Sequence, residues 1–121
     1  MSAFDDLAKI GPQDIWSGVV VRAVHGDRLT FGVVELSPNA VVPEHQHDNE
    51  QLGMVLQGSV MFRIRDETRE LRPGETWSIP SNAPHEVKAG PEGAVVVDLF
   101  APGRADWQEI EPAEPRSPNW P

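Results

Sequence analysis

The chain has 121 residues, enough for one domain with its own apolar core and too few for two. Nineteen acidic side chains against ten basic ones leave a formal charge of −9, which repels phosphate backbones and anionic lipid and so excludes nucleic-acid and membrane-surface partners. With no cysteine, disulfide frameworks, thiolate metal sites and cysteine nucleophiles drop out together, and any metal must be held by nitrogen and oxygen.

Residues 1–14 read as an N-terminal arm, with a short helix at Phe4 to Ile10 as the alternative. The opening lacks a basic segment followed by an apolar run, and no stretch approaches the roughly 20 apolar residues that cross a bilayer. The expected location is therefore the cytoplasm. From Ile15 to Ala101 the pattern turns to strands. Val19 to Val21 and Phe31 to Val34 are β-branched or aromatic runs too short for helices, with Gly26-Asp27 as a turn between them. Met54 to Leu56 and the alternating Val60 to Arg65 flank Gln57-Gly58-Ser59, which predicts a hairpin turning at Gly58. Arg72-Pro73-Gly74 is a further turn, and Trp77 to Pro80, His85 to Val87 and Ala94 to Phe100 complete the set. Many short strands with turn residues between them predict an all-β barrel or sandwich rather than an α/β fold. After residue 101, prolines at 102, 112, 115, 118 and 121 forbid regular helix or central strand, so residues 102–121 are expected to be an outer strap or a loose tail.

The sharpest chemical feature is Pro43-Glu44-His45-Gln46-His47-Asp48-Asn49-Glu50-Gln51. Residues two apart in a strand share a face, so His45 and His47 can point two imidazoles into one lumen. Gln51 can add an oxygen, with Glu50 as the competing ligand. His85, framed by Gly74 and Pro80, can return a third imidazole. His25, beside the Gly26-Asp27 turn, reads instead as an ordinary solvated or core histidine. Three neutral imidazoles and a neutral amide would leave a divalent cation its full charge of +2, which favours an anionic ligand.

A second cluster lies in Val95-Val96-Val97-Asp98-Leu99-Phe100. One carboxylate in an apolar strand calls for a partner or a purpose. Alternation puts Asp98 and Phe100 on one face. Arg104, past the Pro102-Gly103 turn, can reach back over the barrel mouth, where its fork suits a carboxylate ligand. The purely structural alternative is an Asp98–Arg104 ion pair.

These residues resemble the cupin family. Its first motif, Gly-x5-His-x-His-x3,4-Glu-x6-Gly, is matched at His45, His47 and Gly58, with Gln51 in the glutamate's place and Asn39 in the opening glycine's. Its second, Gly-x5-Pro-x-Gly-x2-His-x3-Asn, is matched at Gly74, Pro80 and His85, with Asn82 at the inner glycine and Ala89 at the asparagine. Asparagine tolerates the left-handed backbone that glycine supplies, so both asparagines are compatible with the motifs. The stretch Asp98 to Asp106 is similar to the Asp-x-Phe-x-Pro-x-Arg-x-Asp of the pectin-degradation cupins that linearise 4,5-unsaturated monouronates. That subgroup also has His-x-His-x-x-Glu-Gln.

The resemblance implies a jelly-roll β-barrel with metal ligands His45, His47, Gln51 and His85. It implies Asp98 as catalytic acid/base, Phe100 as a wall of the substrate site, and Arg104 as the clamp on the substrate's carboxylate. The expected cofactor is one divalent transition metal per subunit, with nickel, iron, zinc, manganese and cobalt all suited to such ligands. The expected substrate is a small anionic organic molecule, and the expected assembly a homodimer. Alongside ring opening of an unsaturated uronate stand an Fe(II)-dependent dioxygenase and a non-catalytic sugar- or metabolite-binding module.

Overall fold

The β-branched runs become eight strands, described for residues 2–121 by a computed structural model. They are β1 (Gln13–Trp16), β2 (Val19–His25), β3 (Thr30–Leu36), β4 (Val41–His45), β5 (Glu50–Ile64), β6 (Glu67–Leu71), β7 (Thr76–Ile79) and β8 (His85–Ala101). All pairings are antiparallel. Alternation sorts each strand into an inner and an outer row. Val21, Val34, Val55, Val60, Phe62 and Val96 fill the lumen as buried core, each side chain contributing about 1.5–3 kcal/mol of transfer free energy.

Two long strands belong to both layers of the barrel. The C-terminal half of β8 (residues 94–101) lies between β3 and the first half of β5, whereas its start (residues 85–88) lies between β4 and the second half of β5. β5 in turn pairs with β7 through residues 51–54 and with β6 through residues 60–64. Both strands must bend to change layer. In β5 the bend is a bulge, where the register with β8 shifts between Val55 and Gln57 and again between Gly58 and Val60. Gly58 has φ +76°, and a Cβ there would run into the Gly93 carbonyl of the adjoining strand. The turn expected at Gly58 is thus a bend inside one continuous strand. The hairpin itself closes one step later, through Arg65-Asp66.

The expected Phe4–Ile10 helix shrinks to a single 3-10 turn at Leu7–Lys9, begun by Asp6, whose carboxylate accepts the Ala8 N–H at 3.0 Å. It buries no residue, so no apolar face exists to stabilise a longer helix. Asn39 and Asn82, standing where the motifs carry glycine, adopt φ of +61° and +63°, as the tolerance of asparagine for that region predicts. Past a second 3-10 turn (Ala105–Glu109), the C-terminal residues run over the outside of the barrel. Ala113 N–H donates to the Pro12 carbonyl at 2.8 Å, Arg22 Nη2 to the Arg116 carbonyl at 3.1 Å, and Asn119 N–H to Glu35 Oε2 at 2.8 Å. Among the described residues no helix is long and apolar enough to cross a membrane.

Candidate metal centre and active site

Strand register assembles the donors. His45, the last residue of β4, pairs directly with His85, the first residue of β8, and their ring centroids lie 4.3 Å apart. His47 sits in the bend between β4 and β5, its ring 5.0 Å from that of His85. Gln51 enters on β5 opposite Phe100 and is buried, whereas Glu50 next to it is exposed and faces away. The strand's parity thus settles which of the two faces the lumen.

The tautomers follow from the hydrogen bonds. His45 Nδ1 lies 2.9 Å from the Pro43 carbonyl, His47 Nδ1 3.0 Å from that of Asn49, and His85 Nδ1 2.8 Å from that of Ala83. A carbonyl only accepts, so each Nδ1 carries the proton and each Nε2 presents a lone pair. The three imidazole donors lie within 4.8 Å of one another. His85 Nε2 is buried with no hydrogen-bond partner. His47 Nε2 faces Gln51 Oε1 at 3.2 Å, two acceptors without a proton between them. A converging set of unprotonated nitrogens and an amide oxygen fits a divalent cation, which would satisfy every lone pair that the fold leaves open.

The electrostatics agree. Burial lowers the pKa of His85 to about 4, with repulsion from His45, His47 and Arg104 adding to it. Burial also lowers that of His47, followed by the positive charge of Arg104. Both shifts favour the neutral ring that a metal ligand must be.

Behind the ligands lies a second polar layer. Asp98 Oδ1 accepts one hydrogen bond from Gln51 Nε2 and another from Trp77 Nε1, each at 2.9 Å. Gln51 is therefore two-sided, with its oxygen turned to the histidines and its amide N–H to Asp98. A glutamate would turn a second carboxylate toward Asp98, which gives a local reason for the amide at this position. Gly53, opposite Asp98 on β5, keeps the space open, since a Cβ there would collide with the Trp77 indole and the Asp98 carboxylate. Burial raises the Asp98 pKa to about 6, and the bonds from Gln51 and Trp77 and the charge of Arg104 only partly offset it.

The structure brings Asp98, Phe100 and Arg104 to the same small cavity as His45, Gln51 and His85, with a volume of about 90 Å³. Arg104 does not pair with Asp98. Its guanidinium sits over the Phe100 and Trp107 rings, 4.7 and 4.4 Å from their centroids, and bonds Asp106 at 2.9 and 3.0 Å. The Arg104 N–H donates to Thr30 Oγ1 at 2.9 Å. Asn49 Nδ2 donates to the Pro102 carbonyl at 2.7 Å, tying the histidine bend to the arginine's loop. His25 is exposed at the strand end and bonds only Thr30.

Trp77 and Trp107 escaped the sequence reading. Tryptophan in a strand reads as core, and both are core, yet one also holds the carboxylate and the other backs the guanidinium. No spacing rule marks such a double role.

The Cupin domain profile matches residues 32–100. The chain is a cupin. This cupin is 34% identical over 82 residues to the pectin degradation protein KdgF of Dickeya dadantii, covering 67% of the chain and 74% of that protein. It superposes on the structure of KdgF from Halomonas sp. with a TM-score of 0.81 at 30% identity, over 88% of the chain and 98% of that structure. It is also 32% identical over 83 residues to the dimethylsulfoniopropionate lyase DddW of Ruegeria pomeroyi, covering 69% of the chain and only 53% of that protein.

Proposed function

We propose that this cupin binds one divalent metal through His45, His47, Gln51 and His85 and opens the ring of a small anionic sugar of the 4,5-unsaturated uronate class. One observation carries the reading: a carboxyl with a pKa near 6 and a guanidinium border the same cavity as the four donors. The likeness to two KdgF proteins, one of them a pectin degradation protein, supports the same substrate class.

When bound, the cation would supply Lewis-acid polarisation of the sugar's hydroxyl oxygens. Arg104 holds the carboxylate through the Nη1 side of its guanidinium, since Asp106 takes the Nε and Nη2 edge and the Phe100 and Trp107 rings back the group. Phe100 is an apolar wall. Asp98 keeps Oδ1 committed to Gln51 and Trp77, which leaves Oδ2 to move a proton. In the reaction the anomeric hydroxyl loses its proton, the bond from the anomeric carbon to the ring oxygen breaks, and the enol carbon gains a proton as the ketone forms. The exchange is balanced, so one carboxyl that first accepts and then returns the proton suffices.

The test mixes metal-loaded protein with a 4,5-unsaturated monouronate and follows the loss of enol-ether absorbance beside a His85→Ala control. Decay well above the control is expected. Decay no faster than the control would refute the reaction and leave the metal site to be tested separately by metal analysis.

Likeness to DddW supports a second reading, a lyase acting on a small carboxylate at the same Arg104 and Asp98. Under either reading we propose that the protein is a homodimer. The support is an apolar row on the outer sheet face, where Val24, Phe31, Leu99 and Leu52 stand in register and Leu99 and Leu52 are 41% and 47% exposed. Light scattering on Leu99→Lys should report a monomer.

A further inference from the structure

Trp16 ends β1 and has no part in the constellation described so far. Its position is set by an irregularity. Gln13 pairs with Val21 and Asp14 with Val20, but Trp16 pairs with Val19, so β1 carries one extra residue. Directly paired residues share a face. Without that residue Trp16 would follow Asp14 to the outside. With it, Trp16 faces inward beside Val19, a fully buried lumen residue. The bulge has re-aimed the largest side chain of the strand.

There the indole borders the cavity with its centroid 5.8 Å from the His45 ring, tilted by 52°. It remains 40% exposed, whereas Trp77 and Trp107 are 6% and 5%. A tryptophan turned inward yet left this open is not spent on the core. It presents an open apolar face to a cavity that it shares with the imidazole of His45 and with Arg104.

Resting on the uronate reading above, we propose that Trp16 is the specificity-determining wall: its indole packs against the carbon face of a sugar ring whose carboxylate is held by Arg104, and so selects cyclic acids over open-chain ones. A closed ring presents a rigid face of C–H groups to the indole. An open chain of the same charge must lose several rotations to do so. Because the reaction consumes a ring and produces a chain, the wall also holds substrate more tightly than product.

The experiment is calorimetric titration of the metal-loaded protein with D-galacturonate, a ring acid, and D-galactonate, its open-chain counterpart of equal charge. Wild type should prefer the ring acid by about tenfold, and Trp16→Leu should lose most of that preference through weaker galacturonate binding alone. Trp16→Phe, which keeps an aromatic face, should retain most of it. A preference unchanged in Trp16→Leu would overturn the role of Trp16 while leaving the uronate reading intact. If wild type binds neither acid and turns over no unsaturated uronate, the reading fails and the proposal falls with it.

Discussion

Two buried polar clusters in this barrel are built on opposite plans. On the outer face Arg22, with no exposed side-chain surface, bonds Glu35 Oε2 at 2.7 Å and caps the Arg116 carbonyl, leaving only its Nε without a partner. In the lumen several valences stay open. Asp98 is buried without an ion pair, His85 Nε2 has no partner, and Arg104 gives Asp106 only the Nε and Nη2 edge of its guanidinium. A polar cluster that holds a fold closes its valences, because each open one costs free energy. A cluster that must receive a ligand keeps them open and is stabilised by what arrives.

The contrast breaks most sharply at Asp98. Asp98→Asn keeps an acceptor for Trp77 and removes the proton carrier, so turnover of the unsaturated uronate should fall by about 10² to 10⁴-fold with metal content unchanged. Stopped-flow absorbance and metal analysis on one preparation measure both. On the outer face, Arg22→Ala should cost about 3 kcal/mol in denaturant unfolding, because it strips Glu35 of its partner and the C-terminal residues of an anchor. The double replacement Arg22→Met, Glu35→Leu should recover most of that loss. Full recovery by an apolar pair would mark the outer cluster as structural, while no apolar pair should recover turnover in the lumen.

Much of this arrangement could be read from the sequence, and the failures have a common cause. His45, His47, Gln51 and His85 follow from strand parity and motif spacing, both local properties. Asp98 and Phe100 share a face for the same reason. Arg104 reached the cavity as expected, but its partner is Asp106, two residues away and reached without crossing the lumen, rather than Asp98. Gly58 signalled a reversal and delivered a bend, since a positive φ serves both and only the closeness of Gly93 decides between them. Trp77 and Gly53 owe their roles to strands far away in the chain, which no local pattern records, and Trp16 is turned by a bulge that its residues do not signal.

A smaller effect sharpens the comparison further. Asp98 titrates near 6 in the fold against 3.8 for an ordinary aspartate. Between those values the native state holds a proton that the unfolded chain has released, so folding stability declines as pH rises through that window and stays lowered above it. Asparagine has no such dependence. Metal-free Asp98→Asn should therefore exceed metal-free wild type by about 1–3 kcal/mol near pH 8, with the gap closing by about pH 4. Thermal unfolding at a series of pH values measures it, and a gap independent of pH would refute the burial of an ionisable charge. Smallest of all, Asn82→Ala at φ +63° should cost about 1 kcal/mol and Asn82→Gly almost nothing by the same method.

β8 has hydrogen-bonded neighbours on both edges along most of its length, β3 or β4 on one side and β5 on the other. Its amides should be among the last to exchange with deuterated solvent, and the residues it carries, from His85 to Phe100, form the immobile frame of the site. β1 pairs on one edge only. β4, β6 and β7 are likewise paired on one edge, so Trp16 on β1 and His45 on β4 sit on strands that should exchange sooner than the frame behind them.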